Sequence, residues 1–179
     1  MAIQGRPNVL FLDATANLRG WEHLSARTMF DSMKRRGISL VGDGPRLLEK
    51  LDELPSTICG DQYINCIFLQ VNGEDIGGWA RDCWLALQRS TILKNRLFAL
   101  SICDGFDQYL SEEILNYKGD CSISVCPVNQ LTKRQSAAFF VKFFIELDLH
   151  CSQSISPMMA RFAFAKAKRF ALGHVAINL

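Results

Sequence analysis

The chain has 179 residues, 49% of them hydrophobic and 21% charged, a length that suits one domain (residues 1–179) around one sizeable core. Its formal net charge of +2 gives no overall attraction for nucleic acid or for a membrane surface. No apolar stretch reaches the ~18 residues a membrane span needs, and the opening "MAIQGRPNVLFLDATA" lacks the basic region of a secretion signal.

Seven cysteines are present, at positions 59, 66, 83, 103, 121, 126 and 151. The number is odd, no C-x-x-C pair occurs, and several sit inside apolar runs, where cysteine behaves as a small hydrophobe. A disulfide framework favours a shorter, loop-rich chain with an even count. The sequence therefore predicts reduced thiols in a soluble cytoplasmic protein.

In chain order, "NVLFLDA" (Asn8 to Ala14) reads as a first strand, apolar enough for burial on both faces. A helix is predicted from about Leu24 to Arg36, with Gly37 as its stop. "ISLVGDG" reads as a short second strand, after which Pro45 opens a helix, "PRLLEKLDEL". "INCIFLQVN" (Ile64 to Asn72) is the clearest strand, followed by a helix from about Gly77 to Ser90 with Trp79, Cys83, Ala86 and Leu87 on its inner face. "RLFALSIC" is the next strand, and "SEEILNY" a short helix with Ser111 as its N-cap. "CSISVCPV" is a fifth strand. Two helices then follow, from about Thr132 to Leu147 and from about Pro157 to Phe170, and the tail "GHVAINL" reads as an edge strand.

Strands alternating with helices predict an α/β fold: a three-layer sandwich with a mostly parallel sheet of five or six strands and helices on both faces. In such sheets ligands and catalytic groups gather beyond the carboxyl ends of the strands. Three ends stand out: Asp13, the "VNGED" turn at Val71 to Asp75, and the "CDG" turn at Cys103 to Gly105. If the two central strands lie side by side, Asn72 and Cys103 border one crevice.

"FLQVNGED", "LFALSICDG", "DCSISVCPVNQLTKRQSAAFFVKFFIEL" and "SPMMARFAFAKAKR" follow one another in an order that resembles the caspase-like fold, and within it the CHAT group of bacterial caspase relatives, over Ile64 to Arg169. In that family one strand ends in a His-Gly pair that carries the catalytic base, and the next ends in the nucleophilic cysteine. The resemblance implies Cys103 as the nucleophile position and Gly73 as a backbone oxyanion donor. It also puts Asn72 where the family has its histidine. Asparagine does not titrate near neutral pH, so it can neither take a proton from a thiol nor return one to a leaving amine. The implied function is that of a degenerate cysteine peptidase, a pseudo-enzyme acting by protein–protein interaction in signalling or defence, with a protein partner or further copies of itself.

Two alternatives stand beside it. An active cysteine-type endopeptidase would use Cys103 on a peptide substrate, with His23 as a relocated base; His150, after the Phe-rich helix, and His174, in the tail, are surface positions. A flavodoxin-like or TIR-like domain binding a nucleotide or a signalling partner shares the same alternation of elements. No zinc spacing is visible, and neither "VGDGPR" nor "GEDIGGW" follows a phosphate-binding pattern. Asp43, Asp75 and Asp104 are the carboxylates that Asp13 would need nearby to hold a metal. The short basic stretch "KAKR" (Lys166 to Arg169) reads as a solvated helix face rather than a nucleic-acid reader. No cofactor and no metal are expected.

Overall fold

In a computed structural model of the chain, the described residues are 2–15, 21–48, 64–72, 79–89, 92–103, 108–117, 123–127, 131–171 and 175–178; of residues 21–24, 72, 79, 80, 103 and 175–178 only the backbone is described. The architecture is α/β, with a mostly parallel sheet. Strands β2 (Asn8–Asp13), β5 (Cys66–Asn72), β6 (Leu97–Cys103) and β7 (Ile123–Pro127) run parallel as neighbours. The short strands β3 (Ser39–Leu40) and β4 (Arg46–Leu47) share the outer edge of β2, and β9 (Val175–Asn178) closes the opposite edge antiparallel to β7. The order across the sheet is β3-β2-β5-β6-β7-β9. The tail is thus an edge strand, as its sequence predicts.

Two apolar layers explain why the central strands carry hydrophobic residues at both odd and even positions. Phe11, Phe68, Ala99 and Val125 project to one face, and pack under α1 (Trp21–Arg35), α4 (Lys133–His150) and α5 (Pro157–Ala171). Leu12, Leu69, Leu100 and Cys126 project to the other, under α2 (Trp79–Arg89) and α3 (Gln108–Asn116). Helices therefore cover both faces, which gives the three-layer sandwich. Phe68 is central to the first layer: its ring lies 4.7 Å from Phe11 and 4.8 Å from Phe140, centroid to centroid. Ala160, Ala163 and Ala167 are buried along one stripe of α5, and such small side chains let it lie close on α4.

Helix ends follow local chemistry. Thr132 caps α4 through a reciprocal capping box with Gln135, a device that contributes about 1 kcal/mol. α1 stops in a Schellman motif: the Gly37 N–H donates to the Lys34 carbonyl at 3.0 Å, and the Ile38 N–H to that of Met33 at 3.2 Å. Gly37 holds φ +81°, which is why glycine is the stop there.

Two local expectations are corrected. The helix expected to open at Pro45 does not start there: residues 45–48 are not helical, and residues 49–54 of that stretch lie outside the described residues. Arg46 and Leu47 pair instead with Leu12 and Asp13, and the Leu48 N–H donates to the Asp13 carbonyl at 2.8 Å. The open edge of β2 offers backbone partners that a first helical turn lacks. Ser111 is not an N-cap; α3 begins three residues earlier, at Gln108, and Ser111 is buried within it. The amino-terminal residues also form a strand that the sequence pattern does not reveal, β1 (Ile3–Gln4), antiparallel to β8 (Ser154–Ile155). Asn65 ties this ribbon to the sheet: its Nδ2 donates to the carbonyls of Gln4 and Arg6 at 2.9 and 2.7 Å, and its Oδ1 accepts from the Asn8 N–H at 2.8 Å.

Candidate functional site

The parallel ladder between β5 and β6 runs unbroken from Cys66 opposite Leu97 to Asn72 opposite Cys103. The last pair at its carboxyl end is therefore the pair that the sequence singles out. Neighbouring strands are about 4.8 Å apart, so the two Cα positions border the same spot. Gly73 and the "CDG" turn beyond Cys103 lie outside the described residues.

Two residues before this pair, the apolar face under α1, α4 and α5 gives way to polar groups. Asp13, Gln70 and Ser101 are in register across β2, β5 and β6, each two positions past the buried Phe11, Phe68 and Ala99. All three are buried. Residues two apart on a strand share a face, so the polar row faces α4, and Ser101 Oγ lies 2.6 Å from Ser136 Oγ in the first turns of that helix. Asp13 Oδ1 accepts from the Thr15 N–H at 3.0 Å and from the Thr15 hydroxyl at 2.5 Å, which shapes the chain leaving β2. Gln70 Oε1 is buried with no hydrogen-bond partner among the described residues. The row's outward signal in the sequence is a polar residue at the fifth position of two apolar runs, "CIFLQVN" and "LFALSIC".

The histidines fall in different places. His23 is in the first turn of α1, the helix that follows β2. Cys103 ends β6, and β5 lies between those two strands. His150 is the last residue of α4, about 26 Å along the helix from its start. Its Nε2 is 3.4 Å from Glu146 Oε2 and its ring packs edge-on to Phe162. Neighbouring Asp148 pairs with Arg6, which precedes β2. That end of α4 is therefore at the amino end of the sheet, away from Asn72 and Cys103. His174 lies outside the described residues.

The described thiols are inert by environment. Cys66, Cys83, Cys126 and Cys151 are buried and free. Burial pushes Cys83 and Cys126 up to about 12 and drives Cys66 higher still. Cys151 is raised by burial and by Asp148, against the opposing pull of Arg6. Burial that keeps these thiols protonated makes them poor nucleophiles near neutral pH.

Of the carboxylates weighed for a metal, Asp43 pairs with Lys34 at 3.3 Å, and Asp75 and Asp104 lie outside the described residues. Among the described residues, no three His, Cys, Asp or Glu side chains gather as a metal site, and no helix is long and apolar enough to cross a membrane. No protein-family model matches the chain, and no curated protein matches it.

Proposed function

We propose that the chain is a caspase-like domain, similar to the CHAT group, that has lost its protease dyad and acts by binding a protein partner. The observation that carries this reading is the pairing of Asn72 with Cys103 as the terminal rung of the β5–β6 ladder. Position 72 is one strand spacing from residue 103 along the backbone ladder, and a base would be expected there. An amide stands there instead. It neither accepts the thiol's proton nor protonates a leaving amine, and a thiol left at its ordinary value near ~8.5 is only a few per cent thiolate at neutral pH. A scaffold of this kind without an acid–base pair suits recognition rather than turnover. Signalling or defence is the setting the resemblance suggests.

The test is site-resolved alkylation of Cys103 with iodoacetamide across pH, with Cys103→Ala as control. We expect its rate to follow a group near ~8.5 and the protein to cleave no peptide. A rate governed by a group well below ~7, and lost in His23→Ala, overturns the reading in favour of an active peptidase.

A further inference from the structure

α1 and α4 lie side by side in one helical layer, and a groove of about 610 Å³ runs between them. Each helix lines it with a single stripe. Ser25, Met29, Ser32 and Arg36 recur along α1 at steps of three to four residues, and Arg134, Ala138, Val141 and Ile145 do the same along α4. Stripes at this spacing are the surface one helix offers another. Each spans twelve residues, or ~16 Å from end to end, which is about three helical turns. The floor is small and apolar, so a third helix can seat between the two at an ordinary interaxial distance of ~8–10 Å.

The charged side chains described in the lining of the groove are cations. Among the described residues, Arg36, Lys133, Arg134 and Lys142 line it and no carboxylate does. Asp31, on the flank of α1, is paired with Arg27 at 3.2 Å, and the largely buried Glu146 is paired with Lys142 at 2.5 Å. At one edge Phe170 is 65% exposed, a large apolar side chain held against the groove beneath the Lys142 ammonium. An apolar trough with a cationic rim complements an amphipathic helix whose apolar stripe is flanked by carboxylates.

We propose that this groove docks an acidic amphipathic helix of about three turns from a protein partner. The proposal rests on the binding role given above and names its surface and the chemistry of its partner. An acyl chain with a carboxylate head would also meet cations here, but it needs a narrow tunnel rather than an open trough lined by two helical stripes.

The probe is a fluorescein-labelled helical peptide of about four turns, with Leu recurring every three to four positions and Glu on both flanks. It is titrated by anisotropy against the full chain, beside a scrambled peptide and a version with Lys in place of Glu. We expect saturable binding of the Glu peptide alone, weakened as salt rises from ~0.05 to ~0.5 M. We expect at least a tenfold loss, about one charge pair's worth, in the exposed double variant Arg36→Glu/Arg134→Glu, with the Lys peptide now preferred. Ala138→Trp, which fills the floor, abolishes binding; should it misfold, the charge-reversed pair decides alone, its fold checked by circular dichroism. Equal binding of the scrambled peptide, no binding at ~1 mM, or indifference to charge reversal overturns the proposal. So does tight one-to-one binding of dodecanoate that displaces the peptide. Alkylation of Cys103 is read separately: a reactive Cys103 sinks the disarmed-protease reading and leaves the groove standing, and an unreactive one beside a silent groove sinks only the groove.

Discussion

Ser101 on β6 and Ser136 on α4 share a hydrogen bond, 2.6 Å between their hydroxyl oxygens, in the fully buried layer two residues below Cys103. It is the point at which the capped end of α4 is fastened to the strand that carries the candidate nucleophile. Removing one partner strands the other hydroxyl in a place water does not reach, which costs about 1–3 kcal/mol. Removing both leaves no orphan. Ser101→Ala and Ser136→Ala should each lower the stability measured by urea unfolding, and the double variant should lose less than the sum. Strict additivity would show that the two hydroxyls do not act as a pair.

The Asn72 position gives the sharpest test of the disarmed-protease reading. Asn72→His introduces a titratable residue one strand spacing, along the backbone, from Cys103. An imidazolium beside a thiol stabilises the thiolate. The alkylation midpoint of Cys103 should fall from near ~8.5 to below ~7.5, and its rate at neutral pH should rise about tenfold. An unchanged profile means that the two side chains do not share a site.

The four buried thiols make stability depend on alkali. Their values are raised in the folded chain by burial above all, so their contribution is fully present below the unfolded value of ~8.5 and is lost as pH rises through it toward the folded values. Unfolding free energy should decline steadily from about pH 8.5 upward, more gently in Cys83→Ala than in the parent. At pH 7.5, 5,5′-dithiobis(2-nitrobenzoate) should leave Cys66, Cys83, Cys126 and Cys151 unlabelled until urea is added. Labelling of Cys126 in the native state would contradict its burial.

Glu146 sets a dependence of the opposite sign. The hydrogen bond from Lys142 holds its carboxyl below the usual carboxylate range, against the opposing effect of its burial, with His150 adding a further pull. A lowered folded value stabilises above the unfolded value of ~4.3 and is lost as pH falls through the folded one. Thermal midpoints should drop below about pH 4.5, and Glu146→Gln should flatten part of that drop. Equal acid sensitivity in both proteins would assign the loss to other carboxylates.

Much of this fold is legible in the sequence because the evidence for it is local. Apolar residues at both parities in 8–13, 66–72 and 97–103 require burial on two faces, and so a parallel sheet between helices. Gly37 is legible for the same reason, since the left-handed turn after Lys34 and Arg35 needs a residue without Cβ. The misses are non-local. "PRLLEKL" carries every sign of a helix start, yet Arg46 and Leu47 are claimed by the free edge of β2, which no window around Pro45 can see. β1 and β8 are two residues each, too short for any period. The end positions Asn72 and Cys103 could be named in advance because each closes an apolar run. The Asp13–Gln70–Ser101 row beneath them exists only once the three strands are in register.

Gln70 belongs to that row and holds a buried oxygen with no partner among the described residues. Such a group carries the cost of leaving water without recovering a hydrogen bond, about 1–3 kcal/mol. Gln70→Met keeps the length of the side chain and removes both amide atoms, so it should raise the urea midpoint by an amount equivalent to about 1 kcal/mol. The same variant should be read for Cys103 alkylation, because Gln70 and Ser101 are the rung that lies two residues before Asn72 and Cys103 in the ladder. A more stable chain with an altered Cys103 profile would mark Gln70 as a polar group kept near Cys103 at a cost in stability. A less stable chain would show that the oxygen is satisfied and that the row is purely structural.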